Sequence, residues 1–506
     1  MTRSRKWKIA AVAALCTVYV LLRVRGMADS CLWFDEVFSI HAALHPWNEL
    51  FSFVALDLIH PPLFYVLLKG WISIGGDGLI WTRTFPVVWS IFAIAPFLFI
   101  CRELKLPTSA TLMAFLLFAV NGPLIKYAQE VRMYSLLLFV SLCSVWLFSR
   151  YFFRGKSLVA LIIVNVVMVY VHYYGWLVIG AEVFAVLLFQ RIKIRAMLLM
   201  AAVSAAAFAP WLYAVVKASQ ASTGLTQNIG WMEAPGFITV LRFLLSLNDP
   251  LYFTVNSTQA ISNYVVSVPM LLIGTVAAAL YFSNAGREDA DERRKAFFLI
   301  AIAGVPAVLA FVLSWILPYS IWGIRHLIVV FGPYFLLFGL LVSRVGDKRL
   351  RTAAILLVIL FAGYGVYGYS NAKAEKQIWC AWEEFALFEK DKPTNLYLFE
   401  DLSAYHTWFA RRHFADGNGV FKITGIEGMV EDTAYFLPRG FDGVDTIDIN
   451  EITDERLAIA FRAENWNLLE EPLRSFVSRG YTVADRQIVE TGSGKAYFVM
   501  LKKAGK

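Results

Sequence analysis

Two stretches of the sequence carry side chains able to do acid–base chemistry at a membrane surface. Trp33-Phe34-Asp35-Glu36 sets two carboxylates behind two aromatic rings, and His60-Pro61-Pro62-Leu63-Phe64-Tyr65 lies further along the same segment, residues 32–69. A carboxylate partly stripped of water beside a bilayer is a stronger base than one in bulk solvent. Asp35 and Glu36 are therefore candidate bases. Adjacent acids alone equally describe an interfacial loop facing water. Two successive prolines fix the backbone and remove two amide donors, which suits a rigid turn into a new helix. His60 is thereby held in place as a base, a ligand or a hydrogen-bond donor.

Gln129-Glu130-Val131-Arg132-Met133-Tyr134 puts a second acid and a guanidinium in one short turn. Between membrane spans such groups are costly unless paired or wet. They read either as an ion pair capping a helix or as a second acid, Glu130, with Arg132 turned toward a phosphate. Arg325 opens a late apolar run, and a planar guanidinium matches phosphate geometry. Lys69 is a further cation, and His172, Tyr173 and Tyr174 end a span where aromatics are also ordinary interfacial residues.

The elements that must position these groups are membrane helices. The 506 residues are 58% hydrophobic and 17% charged, with a mean hydropathy of +0.59; soluble domains average roughly 45–50% apolar and about 25% charged. Apolar runs of bilayer-crossing length recur between residues 9 and 369. The net charge of +8 comes largely from Lys and Arg flanking those runs, and no nucleic-acid reader motif accompanies it. Five cysteines show no metal or redox spacing. Cys31 and Cys380 are the two expected outside the cytoplasm, with their pairing left open.

Positive-inside logic arranges the runs as about eleven spans with a cytoplasmic N-terminus. They are 9–24, 83–100, 109–126, 133–148, 158–173, 176–189, 197–216 and 264–282, a ninth ending at Pro318-Tyr319, a tenth from Arg325-His326 to Arg344, and 352–369. Every inner loop then carries Lys or Arg, and loops 26–80 and 217–263 face outward. Arg23 and Arg25, at the outer end of the first span, read as snorkelling toward headgroups or as part of an anionic lipid site. The membrane domain is expected over residues 1–370 and a soluble extracytoplasmic α/β domain over 371–506. In the latter, helices are expected at 379–390, 402–414 and 468–479. Strands are expected at 395–400, 434–437, 444–449, 457–461, 481–485 and 495–502, the last after a Gly492-Ser493-Gly494 turn.

Taken together, Asp35-Glu36 after the first span, His60-Pro61-Pro62-Leu63 before the second, Gln129-Glu130-x-Arg132-x-Tyr134 after the third and Arg325-His326-Leu327 opening a late span resemble the GT-C glycosyltransferases. The similarity is to the protein O-mannosyltransferase and lipid A aminoarabinose transferase group (glycosyltransferase family 39-like), over about residues 9–370. It implies an α-helical polytopic membrane fold of GT-C type, a polyprenyl-phosphate sugar as donor, an envelope lipid, glycan or protein as acceptor, and no organic cofactor. It gives Asp35 the role of base, with Glu36 beside it, and matches His60 to the family's histidine. Glu130 becomes the second active-site acid, able with Asp35 to share a divalent metal in some members. Arg132 and Arg325 are then the phosphate clamp, with Lys69 and Tyr134 beside them. A lipid phosphate is a competent leaving group, so one base and fixed cations suffice, and a single displacement inverts the anomeric carbon. The resemblance places the chain in the bacterial cytoplasmic (inner) membrane, among membrane lipids. A secondary transporter and a non-catalytic scaffold are the other classes considered. The first places its ionisable groups near the midplane of repeated halves, whereas here the acids gather toward one face.

Overall fold

The computed structural model describes residues 3–220, 232–252, 265–283, 289–372, 376–389, 395–415, 421–424, 444–491 and 494–504. The chain divides into two compact units. One comprises Met1–Met27, Val54–Ile74 and Thr82–Ala372; the other comprises Ala28–Phe53, Gly75–Trp81 and Lys373–Lys506.

The helices run, in chain order, α1 (Arg3–Val24), α2 (Phe34–Leu44), α3 (Trp47–Asp57), α4 (Leu63–Gly75), α5 (Leu79–Phe92), α6 (Ile94–Glu103), α7 (Thr108–Val120), α8 (Gly122–Ala128) and α9 (Tyr134–Arg154). They continue with α10 (Leu158–Val171), α11 (Gly175–Phe189), α12 (Ile194–Ser219), α13 (Phe237–Ser246), α14 (Val268–Ser283), α15 (Ala290–Ile316), α16 (Phe331–Ser343) and α17 (Lys348–Asn371). Local chemistry sets their ends. The Asn121 side chain accepts from the Leu124 amide and Pro123 sits in the first turn, so α8 starts afresh after α7, bent 54° from it. Gly155, at φ 69°, ends α9, as a residue free to adopt the left-handed region does. Asp347 caps α17 through the amides of Arg349 and Leu350.

Among the described residues, eight helices are long and apolar enough to cross a membrane, and the bent pair α7–α8 makes a ninth. The expected spans at 158–173 and 176–189 fall on α10 and α11, of 14 and 15 residues. At 1.5 Å per residue these reach roughly 21–23 Å, short of a hydrocarbon core of about 30 Å. Among the described residues the count by length is eight or nine, where the sequence led to about eleven. Val159, Ile163, Leu356 and Leu360 stay exposed, as lipid-facing positions must.

Arg23 departs from both expectations made for it. It does not reach for headgroups: it is fully buried, donating to Ser90 Oγ (3.0 Å) and to the carbonyls of Phe118 (3.2 Å) and Ala119 (2.8 Å), with its guanidinium 3.3 Å from the Tyr19 ring centroid. The α7 carbonyls left unused at the bend attract it. Within the same unit, Glu182 of α11 accepts from Ser144 Oγ and Asn165 Nδ2, each at 2.7 Å, tying α9, α10 and α11 together.

The second unit is α/β. After α18 (Ala381–Glu389) come β1 (Leu396–Leu398), α19 (Asp401–Phe414), β2 (Phe421–Ile423), β3 (Val444–Thr446), β4 (Arg456–Arg462), α20 (Leu473–Ser478), β5 (Tyr481–Thr491) and β6 (Gly494–Lys503). The strands form one sheet in the order β3-β2-β1-β4-β6-β5, parallel through β4 and antiparallel beyond it. One face packs Trp382, Phe385, Leu398 and Phe498; the other packs Tyr397, Ile459, Phe476 and Tyr497. The strand expected at 434–437 and the turn residues Gly492-Ser493 lie outside the described residues, and β2 was not foreseen. Nor were α2 and α3, inside a segment read as loop. Phe34, Phe38 and His41 of α2 surround Tyr405 of α19 at centroid distances of 5.3, 6.1 and 5.4 Å. Cys31 and Cys380 are joined by a disulfide.

Candidate anion-binding site

The His-Pro-Pro turn anchors a polar cluster in the first unit. Leu58 adopts a left-handed backbone, φ 61°, where α3 ends, and Pro61-Pro62 lead straight into α4. The turn brings two buried side chains together: His60 Nδ1 lies 3.0 Å from Asp57 Oδ2. On the other side of the ring, Nε2 lies 3.2 Å from Arg132 Nη2. A guanidinium only donates, so Nε2 accepts. The ring proton therefore sits on Nδ1 and is donated to Asp57. Asp57 fixes the tautomer, and His60 aims Arg132.

The turn carrying Arg132 is clamped from its start. Gln129 Nε2 donates to the carbonyls of Arg23 (3.1 Å) and Arg25 (2.7 Å), and the Tyr369 hydroxyl donates to the Arg25 carbonyl at 2.6 Å. The turn after α8 is thus held to the end of α1 and to α17.

Two more imidazoles pack beside His60. Ring centroids of His60 and His172, and of His172 and His326, are both 5.6 Å apart. Tyr174 and Tyr134 lie 5.2 and 6.1 Å from His326. His172 Nδ1 accepts the Tyr174 backbone N–H at 3.2 Å, which leaves its proton on Nε2. That nitrogen is buried and has no hydrogen-bond partner among the described residues. Arg325 acts electrostatically on Lys126, His172 and Tyr174, and Glu130 acts on Lys126. Among the described residues no set of three or more His, Cys, Asp or Glu side chains could hold a metal ion. Guanidinium groups beside the imidazoles favour an anion there over a cation.

Of the residues singled out in the sequence, His60, Glu130, Arg132, Tyr134 and Arg325 belong to this unit and bear on this cluster. Tyr134 is fully buried, its ring 5.3 Å from that of Tyr127. Lys69 is half-buried well inside α4, roughly 9 Å from the helix start. Asp35 and Glu36 lie in the other unit, in the first turn of α2. The Glu36 carboxylate is buried and accepts the Trp33 backbone N–H at 3.0 Å, a helix-capping use. Asp35, half-buried, receives the Ser39 hydroxyl on its backbone carbonyl at 2.8 Å. Sequence reasoning missed Asp57 and Lys126. Each has a local signal: Asp57 stands three residues before His60, and Lys126 stands four before Glu130, a helical pairing distance.

No protein-family model and no curated protein sequence matches the chain. Solved structures do. ArnT from Cupriavidus metallidurans in the apo state is 12% identical with a TM-score of 0.62, and the match covers 100% of both chains. The same protein bound to undecaprenyl phosphate is 12% identical with a TM-score of 0.63, covering 98% of each chain. An oligosaccharyltransferase of Archaeoglobus fulgidus, in complex with zinc and sulfate, is 14% identical with a TM-score of 0.49, over 86% of this chain and 62% of that one. The fold of this chain is that of ArnT, the GT-C fold.

Proposed function

We propose that this GT-C chain is a membrane glycosyltransferase that moves a sugar from a polyprenyl-phosphate donor to an acceptor hydroxyl on the outer face of a bacterial inner membrane. The observation that carries the reading is the relay from Asp57 through His60 to Arg132, set beside Arg325 in a fold shared with a protein that binds undecaprenyl phosphate. A buried guanidinium aimed by a fixed imidazole suits a lipid phosphate. In this reading Arg132 and Arg325 hold the phosphate before and after the anomeric C–O bond breaks, and His60 keeps Arg132 in place. Asp35 takes the proton of the incoming hydroxyl, and Glu36 shapes the helix that carries it. Glu130 balances Lys126. Attack and departure on opposite faces of the sugar invert the anomeric carbon.

The outer location of the second unit is supported by its disulfide, since such bonds persist in oxidising compartments, and by the basic residues flanking the spans. The acceptor is an envelope molecule, and the second unit with the 217–263 loop is where its choice is expected. The test compares envelope glycolipids and glycoproteins by mass spectrometry in cells with and without the protein. One species should lose a sugar, and the anomeric configuration of that sugar should be opposite to the donor's. An unchanged glycan inventory, together with purified protein that does not bind undecaprenyl phosphate, refutes the reading.

A further inference from the structure

Residues 248–252, Asn248-Asp249-Pro250-Leu251-Tyr252, follow α13 in what reads from sequence as an outer loop, yet they are packed as core. Asn248, Asp249 and Tyr252 are no more than 2% exposed. Their polar groups are used inward. Asn121 Nδ2 donates to the Leu247 carbonyl (3.0 Å), the Gly122 N–H to the Asp249 carbonyl (2.8 Å) and Asn248 Nδ2 to the Tyr334 hydroxyl (2.7 Å). The Asp249 carboxylate turns its own segment by accepting the Leu251 N–H at 2.8 Å.

Glycines form the seat. A Cβ on Gly122 would stand 2.5 Å from the Tyr252 backbone nitrogen and 2.8 Å from the Asp249 carbonyl oxygen. One on Gly365 would stand 2.6 Å from Pro250 Cβ, and one on Gly368 2.5 Å from Leu251 Cδ2. The first two positions exclude any side chain unless backbone or a proline ring moves. The third meets only the swinging end of a leucine.

The seat lies at the bend between α7 and α8, where Asn121 and Gly122 bind the segment. That bend sets the direction of α8, which carries Lys126 and Tyr127 in its last turn. Tyr252 then meets both: its hydroxyl is 3.1 Å from the Tyr127 hydroxyl, and its ring centroid is 5.4 Å from Lys126 Nζ. Tyr127 in turn packs on Tyr134, which packs on His326. We infer that residues 248–252 are a docked positioning segment, which locks the α7–α8 bend and through Tyr252 sets Lys126 and Tyr127 beside the anion site. The inference rests on that site receiving the donor's phosphate. Tyr252 is a positioning residue acting through Tyr127 and Lys126.

The test titrates undecaprenyl phosphate into the purified full-length protein in lipid nanodiscs, with the melting temperature read in parallel. Tyr252→Phe keeps the ring and loses the hydroxyl pair; it should weaken binding about fivefold with the melting temperature unchanged. Gly365→Ala should weaken it by about tenfold or more, and Gly368→Ala by less than about twofold, following what each Cβ meets. Gly122→Ala should act as Gly365→Ala does; should it not fold, the other variants decide. Combining Tyr252→Phe with Tyr127→Phe should be no worse than Tyr127→Phe alone, since both remove the same hydroxyl pair. Unaltered protein that does not bind overturns the functional reading and this inference with it. Unaltered protein that binds, with Tyr252→Phe and Gly365→Ala binding equally well, overturns this inference alone.

Discussion

Replacing Asp57 tests whether His60 serves as an aiming device for Arg132. In the structure His60 donates from Nδ1 to Asp57 and accepts at Nε2 from Arg132. Asp57→Ala removes the group that fixes the tautomer. The proton can then move to Nε2, where it opposes an Arg132 N–H, donor against donor. The loss is that of one hydrogen bond to a charged group, about 1.5–3 kcal/mol, or roughly 10–150-fold in the dissociation constant of a phosphate ligand. Asp57→Asn keeps a carbonyl that can hold the Nδ1 proton. Charge-assisted bonds are roughly twice as strong as neutral ones, so this variant should lose about half as much free energy, roughly 3–10-fold. The assay is undecaprenyl phosphate binding to the purified protein, with a thermal melt to establish folding. Affinity should fall in the order unaltered protein, Asn, Ala. Adding Asp57→Ala to His60→Ala should cost nothing further, because both act on one bond. An Asp57→Ala protein that melts and binds like the unaltered chain refutes the aiming argument, as does a double variant with fully additive losses.

Asp35→Asn should lower turnover by about 10²–10⁴-fold while leaving undecaprenyl phosphate affinity and melting temperature in place; a change confined to affinity would move Asp35 from catalysis to binding. His41 and His406, buried in the second unit, are each pushed down to about 3 by burial, with His45 adding at the first and Arg462 at the second. Their folded values lie below the unfolded one, so the unfolded chain takes up protons first. They cost nothing above about pH 6.5, and below it each removes about 1.4 kcal/mol of stability per pH unit down to pH about 3. His406→Phe should halve that slope in pH-dependent denaturation of the second unit, and a slope unaffected by the change refutes the assignment. Joint replacement of Cys31 and Cys380 by Ser should destabilise the second unit by about 2–5 kcal/mol. Reductant should lower the melting temperature of the unaltered chain to that of the variant and leave the variant untouched.

Much of the membrane unit was legible because its signals are local. Long apolar runs between basic clusters marked the spans, and the His-Pro-Pro and Gln-Glu-x-Arg motifs marked turns that do carry buried polar groups. The weaker readings failed where tertiary context decided. α2 and α3 lie in a segment whose aromatics and acids show no surface stripe, because α2 is buried on nearly every side. β2 has three residues, too few for an alternating pattern to show. Arg23 looked interfacial by position, but the α7–α8 bend, itself set by Asn121 and Pro123, leaves carbonyls that draw it inward. The Asp57–His60 bond was open to reading from a three-residue spacing. The His60–Arg132 bond joins residues 72 apart, and no spacing rule reaches that far. The seating of residues 248–252 was hidden for the same reason, since Gly122, Gly365 and Gly368 are distant in sequence and the segment between α13 and α14 reads as polar loop.

The way Arg132 is held bears on how such a site could accelerate a reaction. A buried guanidinium is costly unless its charge is compensated. His60, bonded to both Asp57 and Arg132, keeps a carboxylate's compensation close and takes one guanidinium N–H on a neutral ring. A neutral ring takes up none of the guanidinium's charge, which stays available to an anion nearby. A lipid-linked sugar is a phosphodiester with a single negative charge, and the phosphate released from it approaches two. Under the proposed function, cations fixed before the reaction, Arg132 by His60 and Arg325 at the start of its span, would interact more strongly with the second state than with the first. Stabilisation that grows as the bond breaks raises the rate, whereas equal stabilisation of both states only tightens binding. Loss of His60 should therefore depress turnover with a phosphate-linked donor more than it weakens binding of that donor, and equal losses in the two would remove the argument for preset cations.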